Sequence, residues 1–351
     1  MKKISVVILV VVVLFVASAG CSKKSKDSIV EASGGTLDLS TIKVGVCIYR
    51  FDDDFMKIYR DELQRYLIEK GYQQENITIL DSNNDQTIQN GQVDTLIKNE
   101  VDVLLVDPVD SDATEYITDT AHKADLPLIY IHQEPAAEDQ ERWKAGNWKV
   151  TYVGADSKQS GSIQGELIAD IALADGLEAI DHNDNGAIDY VMIEGNPNST
   201  DAHNRTEESI KYLSSIGFQM RCLADEVGNW ETAEARRITN DALNTYGTDV
   251  EVIFCNNDTM ALGALESMEE RGRVNGKDIF LVGVDALEPA LQAILDGRMT
   301  GTVYNDYLSQ SHAAVDAATN YLARIGNDHF ISCDYVKVSS ENAAEILEHI
   351  K

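Results

Sequence analysis

The run DHNDNGAID, Asp181 to Asp189, spaces oxygen-bearing residues as a hard cation requires. Asp181, Asn183, Asn185, Ala187 and Asp189 take the first, third, fifth, seventh and ninth positions of a calcium-binding loop, with Gly186 at the sharp turn. Ca²⁺ gathers roughly six to eight oxygens, and alternate side chains plus one backbone carbonyl supply most of them. The twelfth position, where a helix-loop-helix hand places its closing glutamate, is Met192. The last carboxylate must come from elsewhere in the chain. The plainer reading is a surface turn, since Asn, Asp and Gly favour turns in any case.

A second group is suited to hydroxyl-rich ligands. It comprises Asp53 and Phe55, His132, Asp201 and Arg205, Trp230, Asn257, Asp285 and Asn305, most of them just after apolar strand-like runs. Short carboxylates and amides with one arginine offer paired hydrogen-bonding edges, while Phe55 and Trp230 offer flat apolar faces. A pyranose needs both, because its hydroxyls radiate as adjacent donors and acceptors and its ring C–H groups can lie against aromatic rings. Each residue also has a duller role. Asp201 and Asp258 could be helix caps, Asn257 and Asn305 turn residues, Arg205 an ion-pair partner of Glu208, and Phe55 and Trp230 core. What joins them is one common sheet edge.

The elements that position these residues follow from the hydropathy rhythm. From Ile42, short β-branched runs (KVGVCIY, NITIL, DVLLVDP, LPLIYIH) alternate with amphipathic segments at 55–70, 86–100 and 113–124. The pattern restarts at a helix over 157–174 and continues through DYVMIEG, EVIFCNN and IFLVGVDA. Continuous apolar strands separated by helices predict α/β architecture, with two doubly wound parallel-sheet lobes. In such folds ligands bind beyond the carboxyl ends of the strands. The expected lobes are 41–155 plus 305–338 and 156–304 plus 339–351, joined by a three-strand hinge with crossings near Ala155, near Tyr304 and after about Val338. The polar stretch 136–148, with Trp143 and Trp148, reads as an exposed loop.

Lys2 and Lys3, the apolar core Val6–Val16 and the small residues before Cys21 have the order of an export signal over 1–20. That core is too short for a mature membrane span. Cys21 resembles the acylated cysteine of bacterial lipoproteins, with Ser18 where leucine is usual, and 21–40 reads as a polar tether. Twenty-nine basic against 59 acidic residues give a net charge of −30. Such a surface repels phosphate backbones, which argues against nucleic acid as a partner. Cys47, Cys222, Cys255 and Cys333 show no CxxC spacing, so neither a zinc site nor a disulfide framework is expected. GxGxxG, phosphate-loop and GxSxG motifs are absent.

Over residues 42–345 the chain resembles the galactose/glucose-binding family of type I periplasmic-type sugar-binding proteins of ABC transport. The matching stretches are FDDDFMKIYRDEL, DSNNDQTIQNGQVDTLI, the VDP at 106–108, YVGADSKQSGSIQGELIA, DHNDNGAID, FCNNDTMALGALE, VGVDALEPAL and GTVYND. The resemblance implies that Asp53, Asp201, Arg205, Asn257, Asp285 and Asn305 hold sugar hydroxyls while Phe55 and Trp230 stack on the two faces. It implies that Glu251 closes a structural Ca²⁺ site. It further implies an extracytoplasmic, lipid-anchored monomer that delivers galactose or glucose to an ABC permease, or reports it to a chemoreceptor or sensor kinase. His132 stands where the family's pattern has asparagine, and Ser199 where it has histidine. A secreted glycoside hydrolase with Asp53 and Asp285 as acid and nucleophile is the rival reading. Against it, Arg205 and the amides are expected to keep these carboxylates ionised. The export signal, in place of a DNA-binding helix pair, argues against a transcription regulator.

Overall fold

The computed structural model describes residues 28–33 and 35–351. The first lobe is a six-stranded parallel sheet. Its strands run, edge to edge, Phe330–Cys333, Val150–Ala155, Leu128–Ile131, Val103–Val106, Val44–Ile48 and Ile77–Asp81. Every residue of Val44–Ile48, Val103–Val106 and Leu128–Ile131 is buried, as helices on both faces require. Helix Asp54–Lys70 starts where the Asp53 carboxylate accepts the Met56 N–H at 2.8 Å, and it stops at Gly71 in the left-handed region (φ 110°). Helix Tyr307–Leu322 packs against it and beneath the sheet.

The second lobe holds a parallel sheet in the order Phe280–Val282, Val252–Cys255, Ile188–Glu194 and Met220–Val227. Thr302–Asn305 joins its edge through bridges at Val282–Gly301 and Asp285–Tyr304 and pairs antiparallel with Tyr335–Val338. Helix Ser157–Asp175 packs on helix Thr200–Ser215, and the terminal helix Ala343–His349 on helix Glu288–Leu295. The chain passes between lobes after Ala155, after Asn305 and at Asp334. The third crossing therefore precedes the position expected after Val338, because strand Tyr335–Val338 is bonded to the second lobe. Asn305 also belongs to a second-lobe strand.

Two sequence expectations change. The polar tether is shorter than 21–40, since Ile29–Ala32 and Gly35–Asp38 form an antiparallel hairpin. Val30 and Leu37 pack on the main core, Leu39 is fully buried, and Ser33 N–H donates to Ala323 O at 2.8 Å. Alternating apolar residues drive this docking, and their short run within polar sequence hid it. The stretch 136–148 is not a loop but carries helix Ala137–Gly146. Trp143 is fully buried and stacked on Tyr130 at 5.6 Å, and the Asp139 carboxylate accepts hydroxyls from Thr114 and Thr118. Among the described residues no helix is long and apolar enough to cross a membrane. The export leader and Cys21 lie outside them.

Candidate functional site

A narrow cavity lies between the lobes, lined by residues of both. Arg50 Nη2 bonds Glu231 Oε1 across its mouth at 2.6 Å, Thr259 Oγ1 bonds Asp54 Oδ2 at 3.2 Å, and Ser111 N–H donates to Asn198 O at 3.4 Å. These three contacts from the strand-end loops and a helix start of the first lobe reach the second lobe.

Asp53, Phe55, His132, Asp201, Arg205, Trp230, Asn257 and Asp285 all line this cavity. Asn305 sits one step behind, its Nδ2 donating to Asp285 Oδ1 at 3.3 Å while its Oδ1 accepts from Gln310. Neither Asp201 nor Asp258 is a cap residue: Ser199 and Asn257 precede their helices, and the two aspartates lie in the first turns. Asp53 and Asn257 cap helices and still face the cavity, because a cap residue stands at the strand-to-helix turn. Asp258 faces the other way, accepting from Thr302 Oγ1 and Leu287 N–H.

Arg205 is the electrostatic centre. Buried one helical turn after Asp201, it donates to Asp201 Oδ2 at 3.2 Å, to Asn256 O at 2.9 Å and to the Tyr335 hydroxyl at 3.3 Å. Glu208, its candidate partner on sequence spacing, pairs with Lys211 instead. Trp230 lies within 5.9 Å of the guanidinium. Arg205 Nε, Asp201 Oδ1, Ser199 Oγ and Gln133 Oε1 are buried with no protein partner. A buried polar atom strongly favours a partner, so these four are the atoms best able to take hydroxyls.

On the opposite wall His132 adopts a left-handed backbone (φ 59°) beside Phe55, with ring centroids 5.2 Å apart. Its Nδ1 meets Asp107 Oδ1 at 3.1 Å, and Asp107 is fully buried. Burial disfavours the imidazolium, yet the Asp107 carboxylate more than reverses this and holds its pKa up to about 9. Burial pushes Asp285 up to about 7, with Arg205 opposing and Asp53 adding to the rise. The expectation that Arg205 and the amides keep every carboxylate ionised thus fails at Asp285, where desolvation outweighs them.

Tyr49, Gln133 and Asp107 were missed by sequence reasoning. Asp107 follows an apolar strand as the chosen residues do, in the VDP run, and that was its available signal. Tyr49 donates its hydroxyl to Asp53 Oδ2 at 2.6 Å. Trp230 reaches the cavity because Asn229 and Trp230 both adopt positive φ, which lays the ring over Gly195. A Cβ on Gly195 would come within 2.0 Å of that ring. Gly195→Ala is therefore expected to displace Trp230 and weaken ligand binding at least about tenfold, with helix content unchanged, by calorimetry and circular dichroism.

The DHNDNGAID loop closes on itself in the second lobe. Gly186 has φ 82°, and its N–H donates to Asp181 Oδ2 at 2.8 Å. Glu251, 62 residues beyond Asp189, brings its two carboxylate oxygens to the N–H groups of His182 (2.7 Å) and Asp189 (2.9 Å). Among the described residues no three His, Cys, Asp or Glu side chains suffice by themselves to hold a metal. Half of the loop's donors are of another kind, two amides and the Ala187 carbonyl joining Asp181, Asp189 and Glu251. Six hard oxygen donors fit Ca²⁺ in type and number.

The periplasmic binding protein domain model matches residues 44–328. The chain is 36% identical over 318 residues, 87% of its length and 92% of the relative's, to the D-galactose/methyl-galactoside-binding periplasmic protein of Haemophilus influenzae. It is 25% identical over 260 residues (74% and 78%) to the ribose import binding protein of Salmonella typhimurium. Among solved structures it is similar to an ABC transporter solute-binding protein from Bacillus halodurans with bound myo-inositol, at TM-score 0.75 and 24% identity, covering 89% and 99% of the two chains. A galactofuranose-binding protein aligns at TM-score 0.77 and 17% identity, covering 88% and 97%. Two parallel-sheet lobes, a cleft between the carboxyl ends of their strands and a family match across most of the chain agree: the protein belongs to the periplasmic binding protein family.

Proposed function

We propose that the protein binds a monosaccharide, galactose or glucose, in the interlobe cavity and delivers it to an ABC permease. The observation that carries this is the buried Asp201–Arg205 pair, which keeps an unpartnered Oδ1 and Nε and lines the cavity together with Trp230 and Phe55. Sugar bonded to both lobes stabilises the closed form over the open one and shifts the population toward it. His132 and Ser199 set which epimer is held, since an imidazole is rigid where an amide rotates and serine is short.

The reading is of a binding protein rather than an enzyme. Asp285 is a raised acid, but the Asp285 carboxyl already accepts from Asn305 beside Arg205, as a hydroxyl-binding group would. Export with lipid attachment at Cys21 and action as an extracytoplasmic monomer complete the reading. Asp181, Asn183, Asn185 and Asp189 side chains, the Ala187 carbonyl and Glu251 would hold Ca²⁺. The ion would offset the charge of three carboxylates and stabilise the second lobe by mass action without touching sugar.

The test is thermal unfolding of protein lacking residues 1–21, with EDTA or calcium, against glucose, galactose, xylose and ribose. A rise with glucose or galactose and a separate rise with calcium are expected. Folded protein whose melting no sugar moves would sink the hexose assignment.

A further inference from the structure

The calcium loop carries a cation of its own. Arg221 on strand Met220–Val227 is the register partner of Asp189 on Ile188–Glu194. Its guanidinium forks onto that carboxylate, with Nε 2.6 Å from Oδ1 and Nη2 bonded to Oδ2. The Asp189 side chain is fully buried while Arg221 is half exposed, so the guanidinium caps the loop from the solvent side. Asn183 and Asn185 amides also donate to Asp189 Oδ2, each at 2.8 Å. Four donors thus converge on one carboxylate, whose two oxygens offer about four lone-pair sites. A metal can take Asp189 only if the amides turn their oxygens inward and the guanidinium gives up or shares an oxygen.

We propose that Arg221 is a built-in counter-cation of the loop: it holds Asp189 and the folded turn without metal, and calcium competes with it. This rests on the calcium reading above. The reason is Coulombic. Two cations that share one buried carboxylate repel each other, though solvent on the Arg221 side damps the repulsion, and a bidentate guanidinium–carboxylate pair is already well satisfied. Ca²⁺ affinity is consequently lower than the same loop would show without Arg221.

The experiment compares the wild type with Arg221→Gln, and with Arg221→Lys, which keeps the charge without the fork. Calcium affinity is read by calorimetry and by terbium luminescence, and chelator-treated melting by circular dichroism. Arg221→Gln is expected to bind calcium about tenfold more tightly, with the metal-free form melting several degrees lower, the calcium-loaded forms melting alike and Arg221→Lys between. Unchanged or weakened calcium affinity in Arg221→Gln, with the wild type still binding, overturns the role of Arg221 and leaves the calcium site standing. No calcium or terbium binding by any of the three overturns both.

Discussion

Replacing Arg205 by alanine is expected to abolish sugar binding, with a loss of about 3 kcal/mol or more, over a hundredfold in Kd. The loss has two parts. Nε, the guanidinium atom without a protein partner, disappears, and Asp201, 4% exposed, loses its cationic partner and must hold its charge in a desolvated site. Truncating one partner of a buried pair leaves the other charge unpaired, and that penalty dominates. Arg205→Lys separates ligand recognition from folding. It retains a positive charge beside Asp201, but one ammonium cannot reach Asn256 O, the Tyr335 hydroxyl and the ligand in the fork geometry. Calorimetry should show most of the affinity lost in Arg205→Lys, with its ligand-free melting near that of the wild type. Affinity within threefold of the wild type in both variants would remove Arg205 from the site.

The second large effect concerns the Asp107–His132 pair. Because Asp107 holds His132 protonated to about pH 9, the imidazolium presents Nε2–H as a fixed donor at neutral pH. The other charged groups acting on this ring are Asp53 and Asp201 from the two lobes, both favouring its protonated form, while His132 in turn favours ionised Asp285. The folded pKa lies above the ordinary histidine value, so the stabilisation is fully present below about pH 6.5 and is lost as pH rises through about 9, a span of roughly 3 kcal/mol at most. Sugar affinity and ligand-free stability should therefore both decline between pH 7.5 and 10. Asp107→Asn keeps the shape and removes the charge. With the Asp107 charge gone, burial disfavours the imidazolium and the histidine is largely neutral at pH 7.5, so affinity there should fall about tenfold and the alkaline decline should vanish. An Asp107→Asn protein with the wild-type alkaline profile would sink the role of the pair.

Much of this was legible residue by residue. The β-branched runs at Val44–Ile48 and Val103–Val106 announce strands buried on both faces, whereas the caps lie beside the residues expected, at Asn257 rather than Asp258 and at Ser199 rather than Asp201. Ligand-facing residues could be chosen because a parallel sheet directs chemistry to the carboxyl ends of its strands. That rule brought eight candidates to the cavity and stopped one step short with Asn305. It also passed over Asp107, since nothing local separates a carboxylate that faces ligand from one that orients a histidine 25 residues later. The short strands of the 29–38 hairpin and the helix over 137–146 escaped for a related reason. Their apolar signal is a few residues long, and packing against Ala323, Tyr130 and Thr118 supplies the rest.

By itself, then, the sequence determined most of the elements, the half-complete cation loop and the strand ends at which ligand residues stand, because each is set by spacing within one or two turns of chain. Tertiary structure alone decided that Arg221 reaches Asp189 from the next strand, that Asp107 lies behind His132 and that Arg50 bridges to Glu231, and it sets Glu251, which the family resemblance had implied, on the loop's N–H groups. These pairs are far apart in sequence. Their meeting depends on strand order and register, which no local pattern of residues encodes.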